Sequence, residues 1–338
     1  MKKQLALVLI CAFLLSLAVA CTAPQAPAAP SAAPAAEPAP VPEKTTKPAP
    51  APLRIAALKG PTGMGIVALM EPQYANQYAI TIASAPDEVT AGIISGNLDI
   101  AAVPTNLASV LYNKLEGDVV MLAVNTLGVL YVLEDGDTIH SLADLSGKTL
   151  YATGQGATPE YALNFLLEKN GLSDVTVEYY SEHSELATLM ASGDVKLGML
   201  PEPNVTATMA QNETLRIALD LTEEWNKVSD TTMVMGCIIA RKSAIAGNEA
   251  AIKQFLTDYA ASTAFVNKKH QMASQLIAQY GIIPKAELAQ KAIPKCNIVC
   301  LTGDEMRTAA QGMLQVLFDA DPKSVGGALP QQDFYWSE

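Results

Sequence analysis

Residues 95–104 read Ser-Gly-Asn-Leu-Asp-Ile-Ala-Ala-Val-Pro, and residues 192–201 repeat the pattern as Ser-Gly-Asp-Val-Lys-Leu-Gly-Met-Leu-Pro. Each copy begins with a glycine that can end a helix, continues as an apolar strand and stops at a proline. The elements around both copies recur in the same order, which makes chance similarity between Ser-Gly turns the weaker explanation. The repeat predicts two α/β units of similar build.

Short apolar runs alternate with helical patterns around each copy. Strands are predicted at residues 53–58, 78–83 and 98–103, with helices between them. This alternation is typical of βαβ units and mainly parallel sheets. Ligands of such sheets bind outside the carboxyl ends of the strands, so the turns at these ends are expected to line a cleft.

The first 52 residues do not follow this pattern. Residues 1–20 combine two lysines, a short apolar run and the small residues Ala18-Val-Ala20, as an export signal does. Cys21 follows directly, which predicts a lipidated first residue of the mature protein; ordinary secretion after cleavage at the same bond is the alternative. Residues 21–52 are rich in Ala and Pro, and we expect them to act as a spacer.

The composition is that of an acidic protein with a core. Of the 338 residues, 50% are hydrophobic and 17% are charged, and the formal net charge is −12 at pH 7. A nucleic-acid binder would need a basic face, and an anionic membrane surface would repel such a chain. Three histidines leave little material for histidine-based metal or acid–base chemistry, so neither a metal nor a cofactor is expected.

Four stretches of the sequence together indicate a family. They are residues 54–63 (Arg-Ile-Ala-Ala-Leu-Lys-Gly-Pro-Thr-Gly), 99–106 (Asp-Ile-Ala-Ala-Val-Pro-Thr-Asn), 141–148 (Ser-Leu-Ala-Asp-Leu-Ser-Gly-Lys) and 234–242 (Val-Met-Gly-Cys-Ile-Ile-Ala-Arg-Lys). With them, the chain resembles the solute-binding lipoproteins of bacterial ABC importers. The resemblance covers residues 53–320 and points to the branch that binds nitrate, sulfonates and thiamine-precursor pyrimidines.

The resemblance implies a two-lobed fold of the type II periplasmic-binding-protein class, α/β throughout. Lobe 1 would be residues 53–138 and 232–338, and lobe 2 residues 139–231, each a mainly parallel sheet flanked by helices, with the ligand cleft between them. It also implies a monomeric, non-enzymatic protein outside the cytoplasm, anchored to the cell membrane by its lipid, that passes a small solute to the permease of an ABC importer. The alternatives are an enzyme on the same fold, similar to some enzymes of menaquinone synthesis, and a sensor or interaction lipoprotein.

Ten residues near the predicted strand ends are candidates for the solute site. Two glycine-bearing turns precede helices and offer backbone N–H groups to an anionic or carbonyl-bearing solute. Polar groups at two further strand ends add side-chain contacts, and a methionine adds an adaptable apolar wall. The candidates are Thr62, Gly63, Met64, Thr105, Asn106, Gly154, Gln155, Gly156, Thr158 and Glu202. Each could instead serve the fold, as part of an ordinary turn, as a helix cap or as a core residue.

The cysteines and one histidine need a separate interpretation. Outside the cytoplasm a disulfide is allowed, and Cys237 with Cys296 is the preferred pair, which leaves Cys300 over. His183 stands among acidic residues and is interpreted as part of an exposed helix face rather than as a metal ligand. No catalytic signature occurs in the sequence, so binding without turnover is expected.

Overall fold

The computed structural model describes residues 51–337. The predicted export signal, the lipidated Cys21 and the spacer up to residue 50 lie outside the described residues. Within the described range, no helix is both long and apolar enough to cross a membrane.

Strands and helices alternate along the described chain. The strands are β1 (Leu53–Leu58), β2 (Tyr78–Ala83), β3 (Ile100–Pro104), β4 (Val119–Leu127), β5 (Leu130–Asp135), β6 (Thr149–Thr153), β7 (Thr176–Tyr180), β8 (Leu197–Pro201), β9 (Leu215–Asp220), β10 (Val234–Arg241) and β11 (Ile298–Leu301). The helices are α1 (Pro61–Met64), α2 (Pro86–Ser95), α3 (Thr105–Lys114), α4 (Thr158–Lys169), α5 (His183–Ser192), α6 (Asn204–Met209), α7 (Leu221–Val228), α8 (Lys242–Ile245), α9 (Glu249–Lys268), α10 (His270–Gln279), α11 (Ala286–Ala292) and α12 (Gly303–Ala320). Short 3-10 helices occupy Val67–Met70, Pro72–Tyr74, Leu142–Leu145, Ile293–Lys295, Pro322–Val325 and Gln332–Phe334.

The strands form two sheets. The first has the order β11-β4-β10-β3-β1-β2, and the second has the order β7-β6-β8-β5-β9. β1 pairs in parallel with β2 and β3, and β6 pairs in parallel with β7 and β8. β10 and β5 each run antiparallel to both of their neighbours. The predicted α/β class is confirmed, and these two reversed strands are the ones that carry the chain from one sheet to the other.

The chain enters the second sheet earlier than the sequence indicated. β4 ends at Leu127 in the first sheet, and β5 begins at Leu130 in the second. β5 pairs with β8 and β9, although the predicted boundary at residue 138 places it in lobe 1. β4 and β5 read as one almost continuous apolar run, in which the break at Gly128 is easily missed, and that explains the error.

The strands of the first sheet contribute side chains to hydrophobic clusters on both of its faces. Along β1, Ile55 and Ala57 face one hydrophobic cluster, while Ala56 and Leu58 face another, because successive side chains of a strand point to opposite faces. The larger cluster continues from helices on the first sheet, α3 and α12, to α4 and α7 on the second. Both sheets therefore rest on one shared apolar layer.

The predicted disulfide between Cys237 and Cys296 is wrong, because all three cysteines of the described residues are free. Each thiol packs in a different cluster: Cys237 under the sheet with α3 and α12, Cys296 beside α10 and α11, and Cys300 against the cluster of α9. Export and an odd number of thiols cannot reveal on which face of a sheet a cysteine lies. Burial raises the pKa of all three thiols, that of Cys300 to about 11.

We expect three free, unreactive thiols in the folded protein. Iodoacetamide should leave Cys237 and Cys296 unlabelled under native conditions, because both are buried and the thiolate is the reacting form. In denaturant without reductant, it should label Cys237, Cys296 and Cys300. Peptide mapping by mass spectrometry reads each position, and a disulfide-linked peptide from any of the three would contradict the structure.

Candidate ligand-binding site

A cavity of about 480 Å³ lies where the carboxyl ends of the parallel strands of the two sheets face each other. The loops after β1 and β3 line it from the first sheet, and the loops after β6 and β8 line it from the second. This is the edge at which open α/β sheets bind ligands, and the volume suits a small organic molecule. The polar lining residues are Lys59, Thr62, Asn106, Thr126, Thr158, His183, Glu202 and Asn204.

The rest of the lining is apolar backbone and side chain. Six prolines supply rigid walls that carry no backbone donor, and they alternate with glycines and aliphatic side chains. These residues are Gly60, Pro61, Pro86, Pro104, Leu107, Val129, Gly154, Ala157, Pro159, Pro201, Pro203 and Met235. A bound molecule would therefore be held by a few polar groups set in an apolar surface.

The cavity brings together five of the ten predicted residues. These are Thr62, Asn106, Gly154, Thr158 and Glu202. Thr158 Oγ1 donates a hydrogen bond to Asn106 Oδ1 at 3.3 Å, and the two residues come from different sheets. This bond links the starts of α3 and α4 at the cavity wall.

The other five predicted residues lie away from the lining. Met64 is fully buried in a cluster with α10 and α11, and the buried Thr105 side chain lies outside the cavity. Gln155 and Gly156 are exposed, and Gly63 is buried behind the first turn. The strand ends were located correctly, but the direction of each side chain depends on the phase of a short helix, which the sequence does not define.

The turn at residues 60–65 contains three glycines, and a side chain would be unfavourable at each of them for a different reason. Gly60 has a φ of +90°, which L side chains rarely adopt. A Cβ at Gly63 would collide with the Leu58 carbonyl oxygen, and a Cβ at Gly65 would collide with the Tyr259 hydroxyl. The turn is therefore pressed against the sheet and α9, and its other side faces the cavity.

Gly154 has a similar role in the second sheet. Its φ is +83°, and a Cβ there would lie 2.7 Å from Pro159 Cγ. The following helix α4 begins at Thr158, and neither α4 nor α3 has a side-chain cap at its N-terminus. Uncapped N-termini of helices leave backbone N–H groups and a partial positive charge for an oxygen atom of a ligand.

His183 is a lining residue that the sequence analysis missed. It opens α5, and its Nδ1 lies 2.6 Å from the hydroxyl of the buried Thr153 at the end of β6. The interpretation as an exposed helix face is wrong, because the side chain is half-buried at the cavity. Burial lowers the pKa of the imidazole, which is therefore neutral at pH 7. Its position directly after β7 was the available signal.

The charges at the cavity are few. Lys59 is exposed, and no arginine belongs to the described lining. Glu202 is buried, and its carboxylate accepts hydrogen bonds from Thr206 N at 3.2 Å and Thr206 Oγ1 at 2.8 Å. Lys295 Nζ lies 3.8 Å away, on the segment between α11 and β11. Burial raises the pKa of Glu202, and the bonds from Thr206 and the charge of Lys295 oppose that rise.

Glu202 should make the stability of the protein depend on pH. Its pKa is raised in the folded state, so proton binding favours folding, and this contribution is lost as the pH rises from about 4.5 through the raised value. Glu202→Gln should match the wild type in Tm at low pH, exceed it by a margin that grows above about pH 4.5, and keep a constant margin once the pH has passed the raised pKa. Thermal melts from pH 4 to pH 8 measure this, with the exposed Glu185→Gln as control. A constant difference between wild type and Glu202→Gln across the range would contradict the assignment.

Solved structures of binding proteins share this fold. One is described as an ABC transporter from Parabacteroides distasonis, with a TM-score of 0.75 and 23% identity over 86% of this chain and 100% of that chain. The periplasmic aliphatic sulphonate binding protein SsuA from Escherichia coli has a TM-score of 0.68 and 18% identity over 85% of this chain and 92% of that chain. The periplasmic nitrate-binding protein NrtA from Synechocystis PCC 6803 has a TM-score of 0.56 and 11% identity, covering 81% and 83%. At these identities the likeness shows the fold, and the predicted two-lobed periplasmic-binding-protein fold is confirmed.

The sequence itself has a family match. No curated protein matches the chain. A family model described as "Menaquinone biosynthesis" matches residues 63–292, which hold most of the cavity lining and most of both sheets, while the lining residues 59–62 precede the match. The chain belongs to this menaquinone biosynthesis family, on the fold of the solute-binding proteins of ABC transporters.

Proposed function

We propose that this protein is an extracytoplasmic solute-binding lipoprotein that captures a small, anionic or carbonyl-bearing organic solute and delivers it to the permease of an ABC importer. The observation that carries the proposal is the cavity between the loops of the two sheets. Its polar groups are mostly neutral donors at the ends of β1, β3, β6 and β8. Such an arrangement binds a solute between two surfaces that can separate and close.

The lining favours oxygen acceptors over strongly charged groups. The Thr62 hydroxyl and the Asn106 amide N–H groups can donate to a solute oxygen, and the Thr158 hydroxyl can do so when it leaves Asn106 Oδ1. The nearby N-termini of α3 and α4 add positive potential without a cationic side chain. Within a water-excluding cavity such neutral hydrogen bonds are stronger than in solvent.

The proposed lipid anchor is supported by the sequence, and the proposed permease partner is supported by the fold. The export signal followed by Cys21 supports lipidation, and residues 21–52 would hold the folded part away from the membrane. The binding proteins with this fold carry names that refer to sulfonate, nitrate and ABC import. We infer a monomer that docks on an importer permease.

An enzyme is the second candidate, and two observations favour it. The family description names menaquinone biosynthesis, which is a synthetic activity. The cavity also holds a neutral imidazole, His183, hydrogen-bonded to Thr153, and a neutral imidazole can accept a proton. Binding and turnover are separated by following the fate of a bound compound.

A thermal-shift screen should find a solute that the protein binds without changing it. The screen would contain sulfonates, nitrate, pyrimidines, amino acids and small carboxylates. A ligand at one hundred times its Kd adds ~2.7 kcal/mol of stability, which raises the Tm by roughly 5–10 °C for a domain of this size. Mass spectrometry after hours of incubation should recover the hit unaltered. Recovery of a chemically changed product would contradict the proposed transport function and support the enzyme as the function of this protein.

Two lining residues should contribute to affinity, and a neighbour should not. Asn106→Ala and Thr158→Val each remove a side chain that can bond the solute, and each should weaken binding by about 1–2 kcal/mol. Because the two side chains also bond each other, the double variant should lose less than the sum of both. Gln155→Ala is the matched control, since Gln155 is exposed outside the lining. Calorimetry with the screening hit measures all four; a Gln155 effect as large as that of Thr158 would exclude this site.

A further inference from the structure

A buried polar cluster lies behind the glycine turn at residues 60–65. It consists of Asn125 and Thr126 on β4 and of Tyr259 and Thr263 on α9. Their exposed fractions are 0%, 2%, 0% and 5%, which places four polar side chains in the interior of the first sheet's layer. Interiors exclude polar groups unless these are bonded or have a further use.

Asn125 connects two lining residues from the side opposite the cavity. Its Nδ2 donates to the Thr62 carbonyl oxygen at 3.3 Å, and its Oδ1 accepts from Thr126 Oγ1 at 3.0 Å. Both Thr62 and Thr126 face the cavity. One fully buried amide thus touches two residues that would touch a solute.

The bond from Asn125 completes the fixation of one peptide unit. That unit carries the Thr62 carbonyl at one end and the Gly63 N–H at the other, since a peptide bond is planar and trans. The Gly63 N–H donates to the Gly60 carbonyl oxygen at 3.0 Å. With both ends bonded, the orientation of this peptide unit is restrained, and with it the backbone from which the Thr62 side chain projects.

The neighbouring strand β10 leaves room for the Asn125 side-chain amide. A Cβ at Gly236 on β10 would lie 2.6 Å from Asn125 Oδ1, so only a glycine fits beside it. The Tyr259 hydroxyl lies against Gly65, and the Tyr259 and Thr263 hydroxyls have no hydrogen-bond partner among the described residues. A core selected for stability alone would hold apolar side chains at these positions.

We propose that Asn125 is a positioning residue, which orients Thr62 towards the cavity by holding the peptide unit between Thr62 and Gly63. The role of Asn125 in solute recognition rests on the proposed function of the cavity. Its effect on the rigidity of the turn is independent of that function and can be measured on the protein without any solute.

The test compares hydrogen exchange of the turn in two variants. Asn125→Leu removes the donor to Thr62 and keeps the number and branching of the side-chain heavy atoms. Ser109→Ala is the matched control, because Ser109 is equally buried and donates to a backbone carbonyl, that of Val325, at 2.8 Å. In the peptide that spans residues 59–66, we expect amide exchange at least tenfold faster in Asn125→Leu and unchanged in Ser109→Ala. Wild-type exchange in Asn125→Leu, or equal acceleration along the whole chain in both variants, would overturn the proposal.

A second arm uses the screening hit as probe. Asn125→Leu should lose most of the thermal shift that the hit gives in the wild type, while Ser109→Ala should keep it. A retained shift together with a loosened turn would overturn the role in recognition and leave the proposed function intact. A screen without any hit would count against the proposed function, while the exchange result would still decide the effect on the turn.

Asn125→Asp replaces Asn125→Leu if the latter fails to fold. A protonated aspartate can donate to the Thr62 carbonyl, whereas an ionised one repels it. Burial at this position raises the pKa of the introduced carboxyl. After correction for intrinsic rates, protection of the turn in this variant should therefore fall as the pH rises through that pKa between pH 4 and pH 9, with no such change in the wild type. Constant protection across this range would overturn the proposal.

Discussion

The fold depends on two reversed strands. β5 and β10 run against their neighbours because the chain passes from the first sheet to the second through β5 and returns through β10. Each crossing leaves the parallel strands of its sheet with their carboxyl ends directed at the other sheet. The loops after β1, β3, β6 and β8 therefore meet, and the cavity follows from connectivity before any side chain is considered.

The cavity walls offer few backbone donors and few charged side chains, and this determines which solutes they can bind. Prolines at several lining positions remove backbone donors, so the donors that remain are placed at few points. His183 is neutral because it is half-buried, and Glu202 is drawn towards its protonated form for the same reason. A solute with delocalised or partial negative charge fits such an environment better than one that needs a full counter-charge. The neutral imidazole of His183 can accept a proton, and turnover is therefore the measurement that separates transport from synthesis.

Sequence reasoning reached the fold and the location of the site, and it failed where side-chain direction matters. The repeat at residues 95–104 and 192–201 predicted the two units, since strand and helix periods are properties of local sequence. Met64 and Thr105 stand at the predicted strand ends yet point into the interior, because the first turn of a helix sets their direction. Cys237 and Cys296 lie in different clusters, and only the packing of helices on the sheet shows this. His183 was misjudged because its acidic neighbours are exposed while it is not.

The glycine turn at residues 60–65 has a consequence for how the family can diversify. Each of its three glycines has a geometric reason: a positive φ at Gly60, the Leu58 carbonyl oxygen against Gly63, and the Tyr259 side-chain hydroxyl against Gly65. Preservation of this pattern among relatives would thus report the shared architecture and carry no information about the cargo. New specificities would have to arise at the side chains around the turn, such as Lys59 and Thr62, where substitutions leave the backbone undisturbed.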